Sequence, residues 1–300
     1  MIELGSAVVS QPPTGADAAG PVTAGESPVP GAGGWTALAA ELDRWAVDGR
    51  VATFWWRDDD ATDATPALDR LLSIAAAHRV SVALAVIPAD ATPALADRLA
   101  AADGVTVLQH GWAHRNHAPP GARKAELGDD RPVPAVLADL DRGRKRLAGL
   151  FGPGAGFDPA LLVPPWNRAG PAVSEALRAR GIALSRFGGR PAGDRLRLDT
   201  HVDPVAWKAP ATGRQRPFLG EDAALDQAIR HLAARRTGTA DPVEATGLLT
   251  HHLVHDEETW AFLARFVAMV AAHPAAAWCR AGDALAAPLA TPLAAENGSG

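Results

Sequence analysis

An α/β fold, a single closed or nearly closed barrel behind a disordered N-terminal tail, is what this sequence predicts. Three observations carry that expectation. Short apolar runs alternate with longer stretches of helical period, the pattern of a parallel sheet covered by helices. Seven such runs can be counted, which favours a barrel over an open sheet. Polar, chemistry-bearing residues collect directly after those runs, where an α/β barrel keeps its functional groups.

In chain order, residues 1–33 are rich in Ala, Gly, Pro, Ser and Thr without apolar period, and are expected to be disordered. The barrel is assigned to 34–290, and 291–300 to a frayed C-terminal tail. Trp35 to Val47 places Leu38, Leu42 and Trp45 near one helix face. Val51 to Trp56 is β-branched and aromatic, and reads as a buried strand ending at Arg57 and the triplet Asp58-Asp59-Asp60. A helix over about 66–78 leads to an aliphatic strand over 80–87, closed by Pro88. The helix 92–102 precedes a third strand at 105–109, and another helix spans roughly 133–150. Further strands are expected at 160–163, 182–186, 196–199 and 246–250, with helices near 171–180, 222–235 and 257–272.

Bulk properties narrow the function. Formal net charge is −5 and pI about 6.0, which supports neither a nucleic-acid nor a membrane partner. The basic cluster 142–146 and the pair Arg235-Arg236 fall on predicted helix surfaces and read as solvated faces. Cys279 is the sole cysteine, so no intrachain disulfide is possible. The residues after Met1 lack the basic and apolar regions of a secretory signal, and no apolar run is long enough to span a bilayer, so a cytoplasmic location is expected.

Seven of the ten histidines fall after predicted strands. The third strand is followed by His110-Gly111-Trp112-Ala113-His114 and then His117, the fourth by Pro164-Pro165-Trp166-Asn167-Arg168. The sixth is followed by His201 and Asp203, with Trp207 beyond, and the seventh by His251-His252 and His255. Three adjacent carboxylates repel one another, and a fold that gathers them usually binds a cation; an acidic turn or helix cap is the plainer alternative. His110 and His114 would share one face if helical, a spacing that suits zinc-type metals. One Asp with two His leaves positions for water and substrate, the pattern of a catalytic metal site.

These residues resemble the polysaccharide deacetylase superfamily, the NodB-homology or carbohydrate esterase family 4 group, in a divergent branch. The resemblance rests on Arg57 to Ala61, His110 to His114, Val163 to Asn167, Asp203 to Trp207 and Leu248 to His251, in family order over roughly residues 48–285. It implies a distorted TIM-like (β/α)7 barrel and a metal-dependent deacetylase. It also implies a divalent metal, zinc by default, and a carbohydrate or small acylated substrate. By that resemblance Asp60, His110 and His114 would hold the metal. Asp59 would be the base, His251 the acid, and the N–H near Trp166 would help hold an oxyanion. The register one residue earlier would make the acidic pair Asp58 and Asp59, and His252 stands close behind His251 as acid.

Arg57, Asp58, His117, Pro165, Asn167, Arg168, His201, Asp203, Trp207 and His252 are expected to contact the substrate or support the site. His255 reads as a surface histidine. Two departures stand out: Val163 replaces the family arginine that orients the base, a charge Arg57 or Arg168 could supply, and Gly111 replaces a hydroxyl residue. Rival expectations are a metal-dependent amidase on a non-sugar amide and a non-catalytic glycan-binding barrel.

Overall fold

The computed structural model describes residues 33–152 and 156–286. Of the expected tails, 1–33 and 291–300, all but Gly33 lies outside the described residues. Seven strands form one parallel sheet: β1 (Ala52–Ala61), β2 (Val82–Val86), β3 (Val105–His110), β4 (Phe157–Val163), β5 (Ala183–Leu184), β6 (Thr246–Thr250) and β7 (Ala276–Trp278). The order is β5-β4-β3-β2-β1-β6, with β7 pairing to β1. The helices are α1 (Gly34–Val47), α2 (Pro66–Ala77), α3 (Pro93–Ala100), α4 (Val133–Phe151), α5 (Pro171–Ala179), α6 (Glu221–Thr237), α7 (Glu257–Ala272) and α8 (Ala281–Ala286).

Local chemistry explains where helices begin. Thr65 and Thr92 each precede a proline at the first helical position, and their hydroxyls accept from Leu68 N and Leu95 N. Asp256 caps α7 through Thr259 N. No helix among the described residues is long and apolar enough to cross a membrane.

Strand alternation divides the core into two layers. Phe54, Trp56, Leu84, Val86 and Val107 face the helices and pack with Leu38, Leu68, Leu71 and Phe266. Trp55, Ala83, Ala85, Leu108, Leu161 and Val163 fill the inner face.

Three expectations need correction. β1 does not stop at Trp56 but carries the acid triplet inside the strand, where Asp58 is fully buried and Asp59 is 2% exposed. Ala276–Trp278 is a strand that its short, alanine-rich sequence did not signal. Residues 196–199 form no strand, because Asp199 Oδ1 accepts from Arg186 N and takes the place of a ladder bond. Single bridges join Arg197 to Leu184, Thr200 to Phe187 and Val202 to Leu248, so this segment closes the gap between β5 and β6. Gly247 permits that closure: a Cβ there would sit 2.6 Å from Asp199 O and 2.5 Å from Trp55 Nε1.

Candidate metal centre and active site

The acids of β1 part company through a bulge. Asp58 pairs with Leu84 and Ala61 with Val86, so Asp59 and Asp60 together oppose one residue of β2. Asp60 takes a left-handed backbone, φ 71°. Alternation is thereby broken, and the three carboxylates reach three different sets of partners.

Asp60 Oδ1 lies 3.2 Å from His110 Nε2 and 3.4 Å from His114 Nε2. That oxygen is buried and has no hydrogen-bond partner. His110, at the end of β3, directs Nδ1 to Val163 O at 3.1 Å. A carbonyl can only accept, so Nδ1 carries the proton and the Nε2 lone pair faces Asp60. This is the tautomer that a metal requires, and the three side chains suit a divalent cation of the zinc type.

Burial alone would raise the Asp60 carboxyl, but the imidazoles around it, His110 foremost, with His251 and His114, hold it well below the usual range. Burial likewise opposes charging His110, yet the Asp59 and Asp60 carboxylates beside it together outweigh this and raise its pKa. His114 is pushed down, by burial first and then by His110.

Asp59 lies on the same face as Arg57, two residues before it. Arg57 Nε and Nη2 hold both Asp59 oxygens at 2.8 and 3.0 Å. The guanidinium also donates to Ser185 Oγ at 2.6 Å and Asn167 Oδ1 at 2.7 Å, and Arg57 is fully buried. His251 Nε2 is 3.9 Å from Asp59 Oδ2. The Trp207 ring lies edge-on to His251 at 4.6 Å, while its Nε1 donates to Asp203 Oδ2 at 2.7 Å. Burial raises the Asp203 carboxyl, with His251 opposing. Trp166 covers the other flank, 4.2 Å from the His114 ring.

Asp58 faces the helix side and binds His252 Nδ1 at 2.5 Å, with Thr250 Oγ1 and His252 N on its other oxygen. Of the two adjacent histidines, His251 therefore faces Asp59 and His252 is committed to Asp58.

Strain concentrates here. Five non-glycine residues have positive φ among those described, and four of them, Asp60, His114, Trp166 and Asn167, belong to this site. Gly111 explains the missing hydroxyl residue. Its φ is +57°, and a Cβ would lie 2.1 Å from Glu126 Oε2 and 2.7 Å from Pro165 Cγ. The Glu126 carboxylate fills that space and accepts from Trp112 N and Ala113 N, which fixes the loop carrying His114.

Other expected residues fall elsewhere. His117 contributes no ligand atom to the cluster. Arg168 turns away from Asp59 and donates to Lys124 O. His255 is no surface residue: it is 3% exposed, accepts from His251 N at 3.2 Å, and burial lowers its pKa to about 4, keeping it a neutral acceptor. Sequence reasoning also missed Ser185 and Glu126. Ser185 directly follows β5 and was findable by the rule applied to the other strands. Glu126 is the first acid after Asp103, in a long cationic loop, and that isolation was its only signal.

His201 joins a second cluster, with His231 and Glu244. Its Nδ1 accepts from Gly247 N at 3.0 Å, so a neutral His201 carries its proton on Nε2, 3.4 Å from Glu244 Oε1. A protonated nitrogen cannot ligate a cation. Arg235, bonded to Thr246 Oγ1 beside His231, adds a repelling charge. The cluster fits a hydrogen-bonded clamp and not a metal centre.

No family model matches the sequence, and no curated protein is similar to it. Solved structures share its fold. A candidate polysaccharide deacetylase from Mycobacterium smegmatis is 18% identical over 76% of this chain and 87% of its own, with TM-score 0.53. A family 4 carbohydrate esterase from Streptococcus mutans is 15% identical over 81% and 90%, with TM-score 0.52. A peptidoglycan N-acetylglucosamine deacetylase is 14% identical over 83% and 98%, with TM-score 0.51. The chain thus has the fold of the family 4 carbohydrate esterases and polysaccharide deacetylases, at 14–18% sequence identity to these three.

Proposed function

We propose that this chain is a metal-dependent deacylase that removes an acyl group, N-acetyl foremost, from a carbohydrate-type substrate. The observation that carries this reading is the meeting of Asp60, His110 and His114 beside an Arg57-held Asp59 and His251. The fold shared with known deacetylases supports the same reaction class.

Asp60, His110 and His114 would hold the cation, zinc by default, which when bound polarises an acyl carbonyl and acidifies water. Asp59 accepts the proton of the attacking water. Arg57 supplies the charge that Val163 cannot, and its two-pronged grip fixes the Asp59 oxygens. The turn over Pro165–Asn167 spends its bonds on Asn167 N and Arg168 N, leaving Trp166 N as a donor for the developing oxyanion. His251, steadied by Trp207 and with Asp203 close by, donates the proton to the leaving nitrogen or oxygen.

Acetate release from acetylated amino sugars tests the reading. Asp59→Asn is expected to keep its metal and lose turnover, and His251→Ala to slow release by roughly 10²–10⁴-fold. Turnover that survives Asp59→Asn would overturn the assignment. Amine release from unrelated amides, with none of these sugars cleaved, would instead favour an amidase.

A further inference from the structure

Three stretches that frame the site carry cations and no carboxylates, with the acids of the same loops, Glu126, Asp129, Asp130 and Asp203, lying just beyond their ends. Residues 111–125 contain Arg115, Arg123 and Lys124; 164–174 contain Arg168; 204–220 contain Lys208, Arg214 and Arg216. No Asp or Glu occurs in any of these stretches, although the whole chain has more acids than bases, 34 against 29. The loops after β1 and β6 differ, since they hold Asp63 and Asp256, but both carboxylates are engaged, with Thr92 and with the start of α7.

Contacts place three of these cations, Lys124, Arg168 and Arg216, at the mouth. Lys124 Nζ lies 6.0 Å over the Trp166 ring, which in turn covers His114. Arg168 is tied to Lys124 O, and Arg123 is near enough to lower its pKa, after burial. On the opposite flank Arg216 lies 6.0 Å over Trp207, which covers His251. None of the seven makes an ion pair among the described residues, whereas surface arginines elsewhere do, as in Arg70–Glu257, Arg98–Asp69 and Arg180–Asp141. Unpaired cations crowded on both sides of a cleft repel one another at a cost that a bound anion removes.

We propose that the substrate is an acylated sugar bearing an anionic group, a carboxylate or a phosphate, which the Lys124–Arg168 and Arg216 flanks recognise while the acyl group enters between Trp166 and Trp207. This rests on the deacylase reading and names the substrate class for it. Guanidinium and ammonium groups both pair with such oxyanions, and the indole faces offer stacking surface for the ring.

Binding separates this idea from turnover. Metal-free, full-length protein is titrated calorimetrically with N-acetylglucosamine, N-acetylglucosamine 6-phosphate and N-acetylmuramic acid. At low ionic strength at least one anionic ligand is expected to bind about tenfold more tightly than the neutral sugar, a gap that added salt narrows. Preference for the phosphate or for the carboxylate identifies the source of the charge. Lys124→Ala with Arg216→Ala should bring the anionic-to-neutral ratio toward one, and Arg265→Ala, on α7, should leave it unchanged. Equal affinities, a ratio untouched by the double variant, or no binding of any ligand would each overturn the proposal. Acetate release by metal-loaded protein is scored separately. Anion preference without release defeats the deacylase reading alone, and release without preference defeats the anionic substrate alone.

Discussion

Arg57 shows how one side chain replaces a missing partner from another strand. In the proposed mechanism the residue that would orient the base from β4 is Val163, and the charge comes instead from two positions before Asp59 on the same strand face. Four donor bonds and full burial leave this guanidinium no freedom. Arg57→Met should therefore strand a buried carboxylate and cost roughly 3–5 kcal/mol of stability, read from urea unfolding, together with most turnover. Arg57→Lys should recover part of the stability but little turnover, because a point charge cannot grip both oxygens. A variant with Met that unfolds like the wild type would show that Asp59 needs no such partner. Gly111 follows the same logic in reverse, since its missing Cβ is the space that Glu126 occupies.

Elements, more than residues, separate what could be read from the sequence from what could not. Apolar strands and helical periods announced the sheet and its helices. Residues after strand ends announced Asp60, His110, His114 and His251 as neighbours. The bulge in β1 was invisible, because it depends on pairing with β2 and not on residue type. For the same reason alternation could not separate the roles of Asp58, Asp59 and Asp60.

His201, His231 and Glu244 also lie on three different segments, so their clamp emerges only on folding. It joins the barrel-closing segment, α6 and the approach to β6. Burial, with His201 and Arg235 adding to it and Glu244 opposing, lowers His231 to about 4. Burial opposes ionisation of Glu244, but both histidines hold it down at about 2. The unfolded chain takes up the His231 proton near 6.5, before the folded protein does. This histidine therefore favours folding fully above that pH, and its contribution falls as pH drops from 6.5 towards 4. His231→Gln should flatten the stability profile in that window by up to about 1.4 kcal/mol per pH unit, measured by denaturant unfolding across pH. Identical slopes would mean that His231 titrates normally.

Across the whole molecule, a barrel closed by single bridges brings β1, β3, β4 and β6 to one mouth, where positive φ angles, buried charges and unpaired cations gather together. Trp166 and Trp207 stand on either side of the proposed reaction centre, and each carries a cation over its ring. The architecture thus joins the proposed cation-binding triad, a held carboxylate and the proposed proton donor inside a fold shared with deacetylases. The most direct test is to strip the protein of metal and titrate zinc back while following acetate release from an acetylated amino sugar. Activity should vanish on stripping and return to a plateau at one ion per chain, with His110→Ala and Asp60→Ala inactive at every zinc level. Activity that survives stripping, or that returns equally in the Asp60→Ala protein, would contradict a metal centre built on Asp60, His110 and His114.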